Sequence, residues 1–170
     1  MATPTFKVGD EIPKGEFGWI EYTPELESLD ACGIPQTLST DSWKGKKVVL
    51  FSVPGAFTPN CHVNHIPPYI AKYDEFKAKG VDVIAVIAAN DAFVMSGWGR
   101  SLGLKDKILT LADYGAAWSK QLGLSVELGP LGTRTARYAA IINDGRFEYL
   151  EVEPAKGVTV SGAEAVLARL

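Results

Sequence analysis

Along the chain the apolar positions fall into short dense runs separated by stretches with helical spacing. Lys47-Val48-Val49-Leu50-Phe51-Ser52-Val53 is a β-branched run that stops at Pro54-Gly55, the pattern of a strand buried on both faces. From Cys61 to Lys79 the apolar residues Ile66, Ile70, Tyr73 and Phe76 recur at helical spacing, and Gly80 supplies a stop. Pro67 and Pro68 interrupt that helix early and predict a kink there. Val81 to Ala88 reads as a second buried strand, reached by a crossover long enough for a parallel βαβ unit. Asn90-Asp91 can cap a helix running to about Leu102. Ile108 to Leu111 reads as a strand, and Ala116 to Leu122 as a short helix ended by Gly123. Arg137 to Ile142 and Arg146 to Val152 flank Asn143-Asp144-Gly145, a strong hairpin signal. Ser161 is placed to cap a last helix through Leu167.

The order β-α-β-α-β-α, then a hairpin, then a helix predicts an α/β protein. Its central mixed sheet is flanked by helices in a thioredoxin-like arrangement. The first forty residues carry scattered Pro and Gly (Pro13, Gly15, Gly18, Pro24, Gly33, Pro35), which suits short hairpin strands as an N-terminal extension. A length of 170 residues supports one domain with a real core and is short for two, so residues 1–170 read as a single unit.

Hydrophobic residues at 46% and charged residues at 22% match ordinary globular proteins. A net charge of −3 and the lack of a basic cluster interleaved with aromatics argue against nucleic-acid binding. No apolar run approaches a membrane span, and the opening MATPTFKVGDEIPKG has no apolar core of a secretory signal. Two cysteines in such a chain suggest a reducing compartment rather than a disulfide scaffold, and a cytoplasmic location. The last residues, Ala168-Arg169-Leu170, have the small-basic-Leu form of a peroxisomal address, or else simply finish an amphipathic helix.

Chemistry concentrates at Pro54-Gly55-Ala56-Phe57-Thr58-Pro59-Asn60-Cys61, at the carboxyl end of a strand, where open α/β sheets carry their sites. A cysteine in the first helical turn meets unpaired N–H groups and the positive end of the helix dipole, and both favour thiolate. A free thiol is only roughly 3% ionised at neutral pH, and one shifted to about 6 is roughly 90% ionised. The same N–H groups can stabilise charge on a peroxide oxygen as its O–O bond breaks. The Thr58 hydroxyl can donate to the sulfur or to a peroxide and accept in return. Pro54 is placed to shield the sulfur from water, and Arg137, entering a neighbouring strand, is a candidate cation.

Pro54, Thr58 and Cys61 match the Pro-x-x-x-Thr/Ser-x-x-Cys motif, and the sequence here resembles the peroxiredoxins. The fuller string Pro-Gly-Ala-Phe-Thr-Pro-x-Cys, with His65-Ile66-Pro67 after it, resembles the type II (peroxiredoxin-5-like) branch. Val81-Asp82-Val83-Ile84-Ala85-Val86, Asn90-Asp91-Ala92-Phe93-Val94-Met95 and Arg137-Tyr138-Ala139 extend the likeness from about Val8 to Leu170. Ala31-Cys32-Gly33-Ile34-Pro35 is similar to a segment of fungal members. The resemblance implies a peroxidatic Cys61, peroxide activated and oriented by Thr58 and Arg137, and a sulfenic acid shielded by Pro54. It also implies reduction of hydrogen peroxide or alkyl hydroperoxides without metal, flavin or haem, with thioredoxin or glutaredoxin/glutathione as donor. A homodimer is expected too, with Phe93 and Trp98 in its neighbourhood.

Two readings of Cys32 stand open. It is the resolving thiol, acting across a dimer, or it is inert and Cys61 is reduced directly by an external thiol. Asn64 three residues after Cys61 argues against general disulfide exchange, which needs Cys-x-x-Cys. His62 and His65 make a weak metal signal without a second ligand cluster; for His65, fixing the loop by hydrogen bonding is the better reading. Trp98 and Trp118 read as core or interface residues.

Overall fold

The computed structural model describes residues 2–170. Among the described residues nine strands and five α-helices follow one another, with 3-10 turns and one π-helical turn between them. They are β1 (Glu16–Trp19), β2 (Gln36–Ser39), β3 (Lys47–Ser52), α1 (Ile66–Ala71), α2 (Tyr73–Ala78), β4 (Val83–Ala88), α3 (Ala92–Ser101), β5 (Leu109–Ala112), α4 (Ala117–Gln121), β6 (Ser125–Glu127), β7 (Thr133–Thr135), β8 (Tyr138–Asn143), β9 (Arg146–Val152) and α5 (Ala163–Leu167). Seven strands form one sheet in the order β2-β1-β5-β4-β3-β8-β9. The β3, β4 and β5 strands are parallel; β1–β2 and β8–β9 are antiparallel flanks. That is the expected mixed thioredoxin-like sheet, with the N-terminal hairpin added at the β5 edge.

The central strands are buried on both faces because alternate residues serve two separate cores. Val49, Phe51 and Val53 join Ile66, Tyr69, Phe76, Met95 and Trp98 on one face. Val48 and Leu50 join Phe17, Trp43, Trp118 and Phe147 on the other. Trp98 and Trp118 are both core residues. The Asn143-Asp144-Gly145 turn has positive φ at Asp144 (46°) and Gly145 (76°), the type I′ geometry that suits the twist of a two-residue hairpin. No helix among the described residues is long and apolar enough to cross a membrane.

Two expectations need correction. The helix expected over 61–79 is three pieces: a π-helical turn at Cys61–His65, then α1, then α2. Pro67 and Pro68 lack the N–H groups that a regular helix would bond back to Val63 and Asn64. The chain widens beforehand, with Ile66 N–H reaching the Cys61 carbonyl five residues back. The sharper break falls at Lys72 (φ −100°, ψ 14°), not at the prolines. Second, Ser161 does not cap the last helix: Gly162 holds that position without a side-chain bond, and the Ser161 hydroxyl donates to Glu153 instead. The β6–β7 ribbon forms in a stretch to which the hydrophobic pattern assigned no element.

Candidate active site

The β3 strand delivers Val53 to the sheet's carboxyl end, and the chain turns through Pro54–Thr58 into helix. Three hydrogen bonds fix this turn. Asn90 Oδ1 accepts from Ala56 N–H at 2.9 Å, Thr58 Oγ1 donates to the Gly55 carbonyl at 2.8 Å, and Thr135 Oγ1 donates to the Val53 carbonyl at 2.8 Å. At Gly55 a Cβ would lie 3.1 Å from the Thr58 methyl, a tight contact that the turn would have to relax. Phe57 takes a left-handed φ of 60°, a conformation that costs a side-chain-bearing residue about 1 kcal/mol. Its half-exposed ring sits beside His62 and Trp98, at centroid distances of 6.1 and 6.4 Å.

Pro59 and Asn60 are already helical, so Cys61 sits in the first turn, as expected. It is 1% exposed and a free thiol; Cys32 is free and exposed. The β3–β8 register pairs Ser52 with Tyr138, which puts Arg137 one step past the pairing, near Val53 and Pro54. Alternation then decides its face. Tyr138, Ala140 and Ile142 point into the core with Trp118, while Ala139 and Ile141 point into the core that contains Cys61. Arg137 shares parity with the latter pair, and its Nη2 donates to Cys61 Sγ at 3.1 Å. Of the four residues nominated from the sequence, the fold joins Arg137 to Cys61 directly, while Pro54 and Thr58 lie in the turn that leads into the Cys61 helix. Pro54 is half-buried, and the Thr58 hydroxyl proton is directed at Gly55, leaving the oxygen free to accept.

His65 is completely buried. Its Nδ1 lies 2.8 Å from Arg137 Nη1 and its Nε2 lies 2.9 Å from the Ser161 carbonyl. A guanidinium only donates and a carbonyl only accepts, so the ring is neutral with its proton on Nε2. Burial pushes the ring's pKa down to about 4, against the Ser161 bond and with help from the Arg137 charge. With both nitrogens engaged, His65 has no lone pair for a metal, and His62 Nδ1 accepts from Trp98 Nε1 at 2.9 Å. No cluster of three metal-ligating side chains occurs among the described residues. Sequence reasoning missed Asn90 as a latch and Glu153 altogether, and it read Ser161 only as a helix cap. These act through backbone atoms or through each other, which leaves no spacing to read.

Cys32 lies in a segment tied to α3. Arg100 Nη1 donates to the carbonyls of Leu26, Ser28 and Ala31 at 2.9, 3.2 and 2.9 Å.

A thioredoxin-like sheet with a buried thiol at the head of its first crossover helix, met by a guanidinium, defines a thiol oxidoreductase without a Cys-x-x-Cys pair. Residues 7–167 match the Redoxin family. A Malassezia furfur protein bearing the peroxiredoxin name is 53% identical over 141 residues, 81% of this chain and 80% of its own. A Lipomyces kononenkoae protein whose name contains the words peroxisomal peroxiredoxin is 47% identical, over 95% and 99% of the two chains. Reduced Prx3 of Vibrio vulnificus, solved in complex with hydrogen peroxide, superposes with a TM-score of 0.85 at 42% identity, over 96% of this chain and 98% of that one. The chain belongs to the peroxiredoxins, the thiol-dependent peroxidases of the Redoxin family, and is consistent with their type II branch.

Proposed function

We propose that Cys61 attacks the terminal oxygen of hydrogen peroxide or an alkyl hydroperoxide and becomes a sulfenic acid, releasing water or an alcohol. The observation that carries this reading is the 3.1 Å contact from Arg137 Nη2 to Cys61 Sγ inside a buried first helical turn. A guanidinium there favours negative charge on sulfur and donates toward a bound peroxide oxygen. The Thr58 oxygen accepts a hydrogen bond from the peroxide O–H, the departing hydroxide or alkoxide takes its proton from solvent, and Pro54 limits access of water to the sulfenic acid. The Vibrio relative's complex with hydrogen peroxide supports that substrate class.

Cys32 resolves the sulfenic acid by forming a disulfide across a homodimer, and thioredoxin or glutaredoxin/glutathione then returns both thiols. Supporting this reading, Cys32 is exposed on a segment that Arg100 holds in place. Because Cys61 is buried, its first helical turn must open before any thiol reaches it. A cytoplasmic or peroxisomal site of action fits, the latter supported by the Lipomyces relative's name. A fluorescent fusion with and without Ala168–Leu170 decides between them.

The functional test is peroxide loss in a coupled assay with thioredoxin or glutaredoxin systems. Cys61→Ser is expected to abolish activity, and a rate equal to wild type overturns the assignment. Oxidised protein on a non-reducing gel is expected to run as a covalent dimer that Cys32→Ser removes; a monomer throughout contradicts resolution by Cys32.

A further inference from the structure

Glu153 bonds the Arg137 backbone directly and reaches its guanidinium through Ser161 and His65. Glu153, just past β9, donates its backbone N–H to the Arg137 carbonyl at 2.9 Å, continuing the β8–β9 ladder. Its carboxylate accepts four hydrogen bonds from the loop that leads into α5. Oε1 takes Thr159 N–H, Ser161 N–H and the Ser161 hydroxyl at 2.6, 2.8 and 2.7 Å, and Oε2 takes the Thr159 hydroxyl at 2.6 Å. Those bonds set the position of the fully buried Ser161, whose carbonyl accepts from His65 Nε2 at 2.9 Å and from the Tyr69 hydroxyl at 2.7 Å. His65 Nδ1 in turn receives Arg137 Nη1 at 2.8 Å, and the second guanidinium nitrogen points at Cys61. The circuit closes: Arg137 backbone, Glu153, Ser161, His65, Arg137 side chain.

Each link limits the next. An arginine side chain has four rotatable bonds, and a guanidinium with a single partner at one nitrogen can swing about it. With Nη1 donating to His65 Nδ1, Nη2 is left one direction, toward the sulfur. His65 is suited to that task because its tautomer is dictated by a carbonyl on the far side of the ring. The Phe51 ring, centroid 5.1 Å away, and Tyr69, centroid 6.0 Å away, confine it further.

We propose that His65 is a positioning residue, which aims the Arg137 guanidinium at Cys61 through its Nδ1 lone pair, and that Glu153 braces it through the Ser161 carbonyl. This rests on the peroxidase reading for its catalytic consequence, but not for its geometry. Two measurements separate the two. One is the rate constant with hydrogen peroxide, and the other is the rate of Cys61 alkylation by iodoacetamide at neutral pH, in a Cys32→Ser background so that one thiol reports.

His65→Leu removes both ring nitrogens, and His65→Gln keeps an acceptor and a donor. His65→Leu is expected to slow both reactions about tenfold, the effect of losing roughly one well-placed charge-assisted hydrogen bond. His65→Gln is expected to stay within about threefold of wild type, and in an Arg137→Ala background His65→Leu should change either rate less than about twofold. Glu153→Gln should fall between, again only when Arg137 is present.

An unchanged rate in His65→Leu overturns the proposal. So does an equal loss with or without Arg137, or a Gln variant as slow as Leu. If His65→Leu does not fold, the Gln and Glu153 variants decide through the same cycle. If the wild type fails to reduce peroxide, the peroxidase reading fails while the alkylation cycle still tests the positioning.

Discussion

At neutral pH His65 has one protonation state, because burial and two fixed partners keep the ring neutral. Its pKa lies at about 4 in the folded chain, against about 6.5 when unfolded. Between those values the unfolded chain binds the proton and the folded chain does not, so stability falls as pH drops through that window. The full loss, complete below about pH 4, is on the order of 3 kcal/mol. The charged and titratable groups around the ring are Arg137, Glu153 and Tyr69. Burial pushes the Glu153 carboxyl up, but bonds from Thr159 and Ser161 outweigh that and hold it below the usual carboxylate range. Its contribution is present above the ordinary carboxylate pKa and is lost only at lower pH. Urea unfolding followed from pH 7 to pH 4 should therefore show a falling midpoint for wild type and a flatter one for His65→Gln; parallel curves would contradict the assignment.

At the scale of elements, the site depends on how the Pro54–Thr58 turn is tied to its neighbours. Asn90 reaches Ala56 N–H from the end of β4, where Asp91 rather than Asn90 caps α3 through Val94 N–H. Asn90→Ala is expected to cost about 1 kcal/mol of stability, as for loss of a single part-buried bond. Peroxide turnover should drop by more than that loss explains, because the turn carries Thr58 and leads into Cys61. A drop in thermal stability without a drop in rate would show the latch to be structural only. The strands and the crossover were legible because β3, β4 and β8 are dense apolar runs bounded by Pro, Gly or Asn-Asp-Gly. The π-turn was not legible because it follows from backbone hydrogen bonds that the prolines displace, and the break at Lys72 carries no side-chain signal. Ser161 was misread for a similar reason. It resembles a helix cap in sequence, but Glu153, eight residues earlier, competes for its hydroxyl.

For the whole molecule, the sheet is what makes Cys61 and Arg137 neighbours although 76 positions separate them. Antiparallel pairing of β8 with β3 fixes the register, and the two-faced core fixes the parity, so the guanidinium arrives on the thiol's side. Cys61, Thr58, Pro54 and Arg137 could be nominated from the motif and the strand order. The clamp through Glu153 and Ser161 could not, since its links are backbone atoms joined only after folding. The surface ion pairs, such as Lys14–Asp41 and Lys105–Glu27, are largely exposed and contribute little to holding this arrangement. The central claim is that the buried thiol is the peroxide's target. Its most direct test is a single turnover of reduced protein with one equivalent of hydrogen peroxide, trapped with dimedone and mapped by mass spectrometry. The account predicts stoichiometric peroxide loss and the sulfenic acid adduct on Cys61 alone, both absent in Cys61→Ser. An adduct confined to Cys32, or peroxide loss that survives Cys61→Ser, would contradict it.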